Sequence, residues 1–232
     1  EEEPTPVLPL GDNWLLTDSI GKSTRKGDRF AEQICKDVVE GTWKRPHCQG
    51  GATLPGVIDK SLAYFDGDNA GTRRLGVLIF IAMGNDICSR LVEMQNCNSE
   101  IKPIYIKMLK SLKALITNGR VRGAYIIYGA DGESWHQNAC NYAEDGTKIN
   151  RVRDDVVSLC RETDILCATG LEDKLFEETH IFTNPEKFDR ACHWFPGEAK
   201  ESAIKWMKSA LRRALWSEAR KLKQQSNAAR RV

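Results

Sequence analysis

The sequence predicts an α/β protein built on a doubly wound parallel sheet with helices on both faces. Three observations carry this. Residues 75–83 are almost continuously apolar, as a strand buried on both sides must be. Strand-like runs alternate with helical periodicity in a single pass along the chain. The runs at 14–16, 75–83 and 124–128 each give way to a loop rich in Gly, Asn or Asp, and the carboxyl ends of strands are where open α/β sheets gather their chemistry.

In order, residues 1–12 carry Pro4, Pro6, Pro9 and several acids, and read as an extended lead-in. Trp14, Leu15 and Leu16 predict the first strand. Phe30, Ile34, Val38 and Val39 have helical spacing and predict a helix over 28–39, with Gly41 as its stop. The chain is expected to extend again at 47–49, turn through Gly50-Gly51-Ala52-Thr53, and form a helix over 55–64. Asp66-Gly67-Asp68 and Gly71 mark a loop ahead of the central strand. Ile104, Met108, Leu109, Leu112 and Leu115 predict an amphipathic helix over 101–116, ended by Asn118-Gly119. A strand over 124–128, a helix over 152–161 and a strand over 164–168 follow. A long last helix over 199–223 places Ala203, Met207, Ala210, Leu211 and Leu215 on one face. No internal repeat and no linker rich in Pro, Gly or Ser divides the chain. The expected organisation is a lead-in (1–12), one flavodoxin-like domain (13–223) and a basic flexible tail (224–232).

With 232 residues, 41% hydrophobic and 28% charged, the chain has the composition of a soluble globular protein. No apolar run approaches the ~20 residues of a membrane span. The net charge of +2 hides an asymmetry: from Lys200 onward ten Lys/Arg face only Glu201 and Glu218, a segment charge of +8 that leaves −6 for the rest. Such a tail is most simply a solvated helix face, with phosphate or anionic lipid as the alternative. The eight cysteines form no CxxC pair and no zinc spacing, and Cys160 and Cys167 sit inside apolar runs. Free thiols in a reducing, cytoplasmic setting are expected, although the even count leaves disulfides open. The start at Glu1-Glu2-Glu3, without an initiator Met, reads as a trimmed or excised chain, and any targeting segment could have been lost with it.

The chemistry is expected from four short stretches. Asp18-Ser19-Ile20-Gly21 follows the first strand, and Ser19 is a candidate nucleophile that needs a base beside it. Gly50-Gly51 follows the second strand and Gly84-Asn85-Asp86 the third. Asp189-Arg190-Ala191-Cys192-His193 precedes the last helix. Taken singly, Ser19 is a turn or helix-cap residue, Asn85-Asp86 an Asx turn and Gly50-Gly51 a flexible turn. Their order gives them weight, since Ser19, Gly51 and Asn85 are each about one βαβ unit apart.

Together the four stretches resemble the blocks of the SGNH (GDSL-type) hydrolase family, in the family's order. The resemblance implies a serine esterase with no cofactor or metal, acting on a carboxylic (acyl or acetyl) ester of a small molecule, glycan or lipid through an acyl-enzyme. It makes Ser19 the nucleophile, His193 the base and Asp189 its orienting acid. Gly51, through its backbone N–H, and Asn85, through its side-chain amide, become the oxyanion donors. Two departures stand out: Thr17 occupies the place of the family's first-block glycine, and three residues rather than two separate Asp189 from His193. His193-Trp194, followed by Pro196-Gly197, also looks like the last block of the PC-esterase branch, which implies an O-acetyltransferase as an alternative. A third reading is a non-catalytic domain of the same fold that binds a partner such as RNA through the basic C-terminal segment.

Other motifs carry less. Gly21-Lys22-Ser23 is not a P-loop, because the glycine required five residues earlier is Leu16. His47, His136 and His180 are scattered and suggest no metal site. Asp131-Gly132-Glu133-Ser134-Trp135-His136 is a surface loop or a substrate loop. The oligomeric state is open.

Overall fold

The structure, a computed structural model, describes residues 11–17, 41–50, 52–67, 70–82, 97–128 and 146–168, together with scattered positions between 201 and 227. Five parallel strands form one sheet: β1 (Trp14–Thr17), β2 (His47–Cys48), β3 (Leu75–Ala82), β4 (Val121–Tyr128) and β5 (Leu166–Ala168), in the order β2-β1-β3-β4-β5. Helices α1 (Leu54–Ala63), α2 (Cys97–Thr117) and α3 (Gly146–Glu162) form one layer, α1 against α2 and α2 against α3. Their apolar stripes (Leu54, Val57 and Ile58; Leu109 and Leu112; Val156 and Leu159) meet Leu16, Leu78, Phe80 and Ile126 of the sheet. The opposite face is also covered: Leu15, Val77, Ile79, Ile81 and Ile127 are buried too. This is the doubly wound sheet, in the flavodoxin order, that the sequence predicts.

β3 shows why. All eight of its residues are buried, which only a central strand of a parallel sheet needs. The described positions from Glu201 to Arg213 are helical, and so are Gln224 and Asn227. Ile204 and Leu211, two helical turns apart, are buried, whereas Lys205, Arg212 and Arg213 are exposed.

Element ends differ from expectation where a local interaction overrides the pattern. β4 begins at Val121 rather than 124, because Val121 pairs with Leu75 although Arg122 and Gly123 lack strand character. α2 begins at Cys97 rather than 101 and carries Pro103 inside it. β5 begins at Leu166 because the chain is still turning at 164–165. Asp164 has φ 54°, and Ile165 N–H donates back to Cys160 O at 2.8 Å. The helix predicted over 28–39 lies outside the described residues.

Asn13 fixes the start of the sheet. Its N–H donates to Thr42 O and its carbonyl accepts from Lys44 N–H, both at 2.8 Å, which joins it to the segment before β2. Its buried side-chain Oδ1 accepts from Val77 N–H, also at 2.8 Å, which joins it to β3. The space for this amide exists because residue 76 is glycine: a Cβ there would lie 2.3 Å from Asn13 Oδ1 and 2.9 Å from Gly11 O.

Asn13→Ala strands a buried N–H, so a loss of about 1–3 kcal/mol is expected in urea denaturation. Gly76→Ala should lose a similar amount, about 1–3 kcal/mol, by overpacking the same spot.

Candidate active site

The register aligns the strand exits. Thr17 pairs with Cys48 on one side and with Ile81 on the other, Ile81 pairs with Ile127, and Ile127 with Ala168. Cys48, Thr17, Ile81, Ile127 and Ala168 therefore form one row across the carboxyl edge. From β1 the chain goes to β2 on one side, then crosses to β3 on the other, so the topological switch lies between β1 and β3. A crevice outside the strand ends at this point is where open α/β sheets bind ligands.

Backbone hydrogen bonds tie the first two exits together. Gln49 N–H donates to Thr17 O at 3.0 Å, continuing the β1–β2 ladder past the end of β2. Ala52 N–H then donates to Gln49 O at 3.3 Å and closes a turn. Thr53 caps α1 directly after it, its Oγ1 accepting from Gly56 N–H at 3.3 Å, and Pro55 suits the first turn. The tight turn and helix start expected at 50–55 are thus in place, with the buried Ala52 as their anchor. Gln49 was not singled out by the sequence. Its role is a backbone one, and only the register of β2 reveals it.

Ser19, Gly51, Asn85, Asp189 and His193 all lie outside the described residues, as does the loop at 131–136. What the structure describes is the frame from which three of them depart. Ser19 follows β1 by two residues, Gly51 follows β2 by three and Asn85 follows β3 by three. His47 is half-buried on β2, its Nε2 3.4 Å from Gln49 Oε1. Among the described residues no group of three His, Cys, Asp or Glu side chains is arranged to hold a metal ion. No helix among them is long and apolar enough to cross a membrane.

No protein-family model matches the sequence. No curated protein matches it either. Solved structures do. A candidate GDSL-like lipase from Parabacteroides merdae ATCC 43184 superposes with a TM-score of 0.54 at 13% identity, over 91% of this chain and 100% of its own. LAE5, an alpha/beta hydrolase enzyme from the metagenome of Lake Arreo in Spain, gives a TM-score of 0.51 at 13% identity, over 87% of this chain and 95% of its own. Axe2, an acetylxylan esterase from Geobacillus stearothermophilus, gives 0.50 at 14% identity, over 87% and 94%. This chain has the SGNH-hydrolase fold. At such identities the fold is what is shared, and it spans nearly the whole chain.

Within the SGNH-type sheet of this protein, two cysteines meet where β5 packs on α3. Cys160 and Cys167 are free thiols. Cys167 of β5 packs against the core beside Cys160 of α3. The hydrogen bond between the two thiols, then burial, then the neighbouring Cys160 charge push the Cys167 thiol well above its ordinary value of 9.0. The folded protein thus keeps its proton where the unfolded chain loses it. The stabilisation is whole below the unfolded-state pKa and declines as pH rises from there through the raised folded value. Urea midpoints of wild type should therefore fall as pH is raised above about 9, a fall that Cys167→Ala should flatten.

Proposed function

We propose that the protein is a serine esterase that hydrolyses a carboxylic ester through an acyl-enzyme at the carboxyl edge of its sheet. The observation that carries this is the aligned exit row. β1, β2 and β3 end side by side at the switch point, and their next residues include a serine, a glycine and an asparagine in the order the chemistry requires. The tie from Thr17 through Gln49 to Ala52 supports it, because it anchors the chain on either side of the Gly50-Gly51 turn to the strand that leads to Ser19. The esterases among the structural neighbours support it as a matter of fold.

In this reading Ser19 Oγ attacks the ester carbonyl while His193 removes its proton and Asp189 orients the imidazole. The oxyanion takes hydrogen bonds from Gly51 N–H and the Asn85 amide, donors fixed before the reaction begins. Collapse expels the alcohol, which takes the proton from His193. A water molecule, deprotonated by His193, then releases the acid and regenerates Ser19. The chemistry needs no metal ion. An acetyl or other short acyl group on a sugar or small alcohol is the favoured substrate, after the acetylxylan esterase neighbour.

Hydrolysis of p-nitrophenyl acetate tests the proposal. Ser19→Ala and His193→Ala should each abolish turnover without lowering the melting temperature, and the double variant should be little worse, since triad members act as a unit. Unchanged hydrolysis in Ser19→Ala overturns the assignment. Asn85→Ala should lower kcat by ~100-fold or more with KM nearly unchanged. Asp189→Asn decides the four-residue step to His193: a loss approaching ~10⁴-fold marks a complete triad, and a loss below about tenfold removes Asp189 from it.

A further inference from the structure

The amino edge of the sheet, opposite the exit row, carries a concentration of positive charge that the esterase reading does not use. Lys44 and Arg45 lie beside the start of β1, Arg73 and Arg74 directly precede β3, and Arg120 and Arg122 flank the start of β4. β1, β3 and β4 are neighbours, so these residues lie along one stretch of the sheet's amino edge. The stretch is built, not incidental. Lys44 Nζ lies 4.4 Å from the Tyr64 ring and 5.4 Å from the Trp14 ring, and the Arg73 guanidinium lies 5.3 Å from Tyr64. Arg120 stacks on Phe65 at 4.8 Å. Arg73 donates to the carbonyls of Tyr64 and Asp66, and Arg120 to that of Phe65, so both cap the carboxyl end of α1. Arg74 is held by the carbonyls of Gly71 and Arg73, each at 2.9 Å.

Capping explains why these arginines are ordered; it does not remove their charge, since a helix end offers only about half an elementary charge. Three described carboxylates stand at this edge. Asp164 is paired with Lys113 at 2.5 Å, Asp12 accepts from Thr42, and Asp66 is exposed. With Asp164 matched by Lys113, the six cations beside β1, β3 and β4 face Asp12 and Asp66, a local excess in a body that carries −6 up to residue 199. Arg45 and Arg122 are exposed.

We propose that this edge binds the phosphate backbone of a single-stranded nucleic acid. Five of the six cations are arginine, whose planar fork matches phosphate oxygens in a way a lysine does not. A lipid surface fits less well: surface-lying segments insert apolar side chains, and the one large apolar side chain exposed among the described residues, Ile104, lies on α2. This edge is at the other end of the sheet from the exit row, so binding here stands or falls independently of esterase activity.

The test is fluorescence anisotropy of a labelled oligouridylate against the full chain across a salt series. Wild type should bind at low salt. The Arg45→Gln/Arg74→Gln/Arg122→Gln variant should bind roughly tenfold more weakly, with the slope of log Kd against log salt reduced by about two, at ~0.7 per single-strand phosphate contact. A Lys221→Gln/Lys223→Gln/Arg230→Gln/Arg231→Gln variant should keep most of the affinity. The conservative Arg45→Lys/Arg74→Lys/Arg122→Lys variant should keep the salt slope, which separates lost charge from lost fold. Absence of binding by wild type, full affinity in the Arg→Gln variant, or loss confined to the tail variant each overturns the proposal. So does Arg-dependent binding to phosphatidylserine vesicles without binding to the oligonucleotide.

Discussion

The sheet depends on one buried amide. Asn13 is the residue at which the segment before β2, the start of β1 and the start of β3 are held together, its backbone bonded to Thr42 and Lys44 and its side chain to Val77. A parallel pair has no hairpin turn to set its register, so something else must. Here the side chain acts as an extra rung below the first backbone pair, Trp14 with Leu78. A slip of one residue would turn Leu15 and Leu16 to the wrong faces of a sheet that is buried on both. Gly76 belongs to the same device, because any larger residue would occupy the space of the amide.

What is fixed at the amino edge is delivered at the carboxyl edge. β1 has four residues and β3 has eight, yet Thr17 lies level with Ile81 because their lower ends are pinned. The exits of β1 and β3 therefore stand side by side at the switch point. The exit of β2 joins them through Gln49 and Ala52. The serine nucleophile and two oxyanion donors proposed for these three loops would need this kind of rigid common base, since catalytic hydrogen bonds tolerate little displacement.

Much of this architecture is legible in the sequence, and the residues show why. β3 is read almost to its ends because an uninterrupted apolar run has one reading in a doubly wound sheet. α1 is read to within one residue because Thr53, Pro55 and the apolar spacing agree. Interactions distant in sequence are not legible. Nothing local marks Asn13 as a register pin 64 residues from its partner Val77, or Arg122-Gly123 as strand, or Asp164 as a left-handed turn residue. The candidate site was read from four short stretches, Ser19, Gly51, Asn85 and Asp189 with His193. They carry meaning only through their order on this fold, and the fold accounts for the strand ends that three of them follow.

Thr17 shows how a departure from a family pattern is weighed physically. Glycine is the usual residue at this place in the SGNH family, and its loss would count against an active site if the position needed a positive φ or a close backbone approach. In this chain the residue is neither in a turn nor exposed. It is the last residue of β1, fully buried, level with Ile81 and Cys48. A β-branched side chain suits such a place, and its stiffness is one reason the strand extends to residue 17 instead of ending at Leu16. Its carbonyl makes the bond to Gln49 N–H that any residue could make. A threonine makes that bond from a backbone with less freedom to lose on folding than glycine has. A threonine at this place thus firms the strand that leads to Ser19.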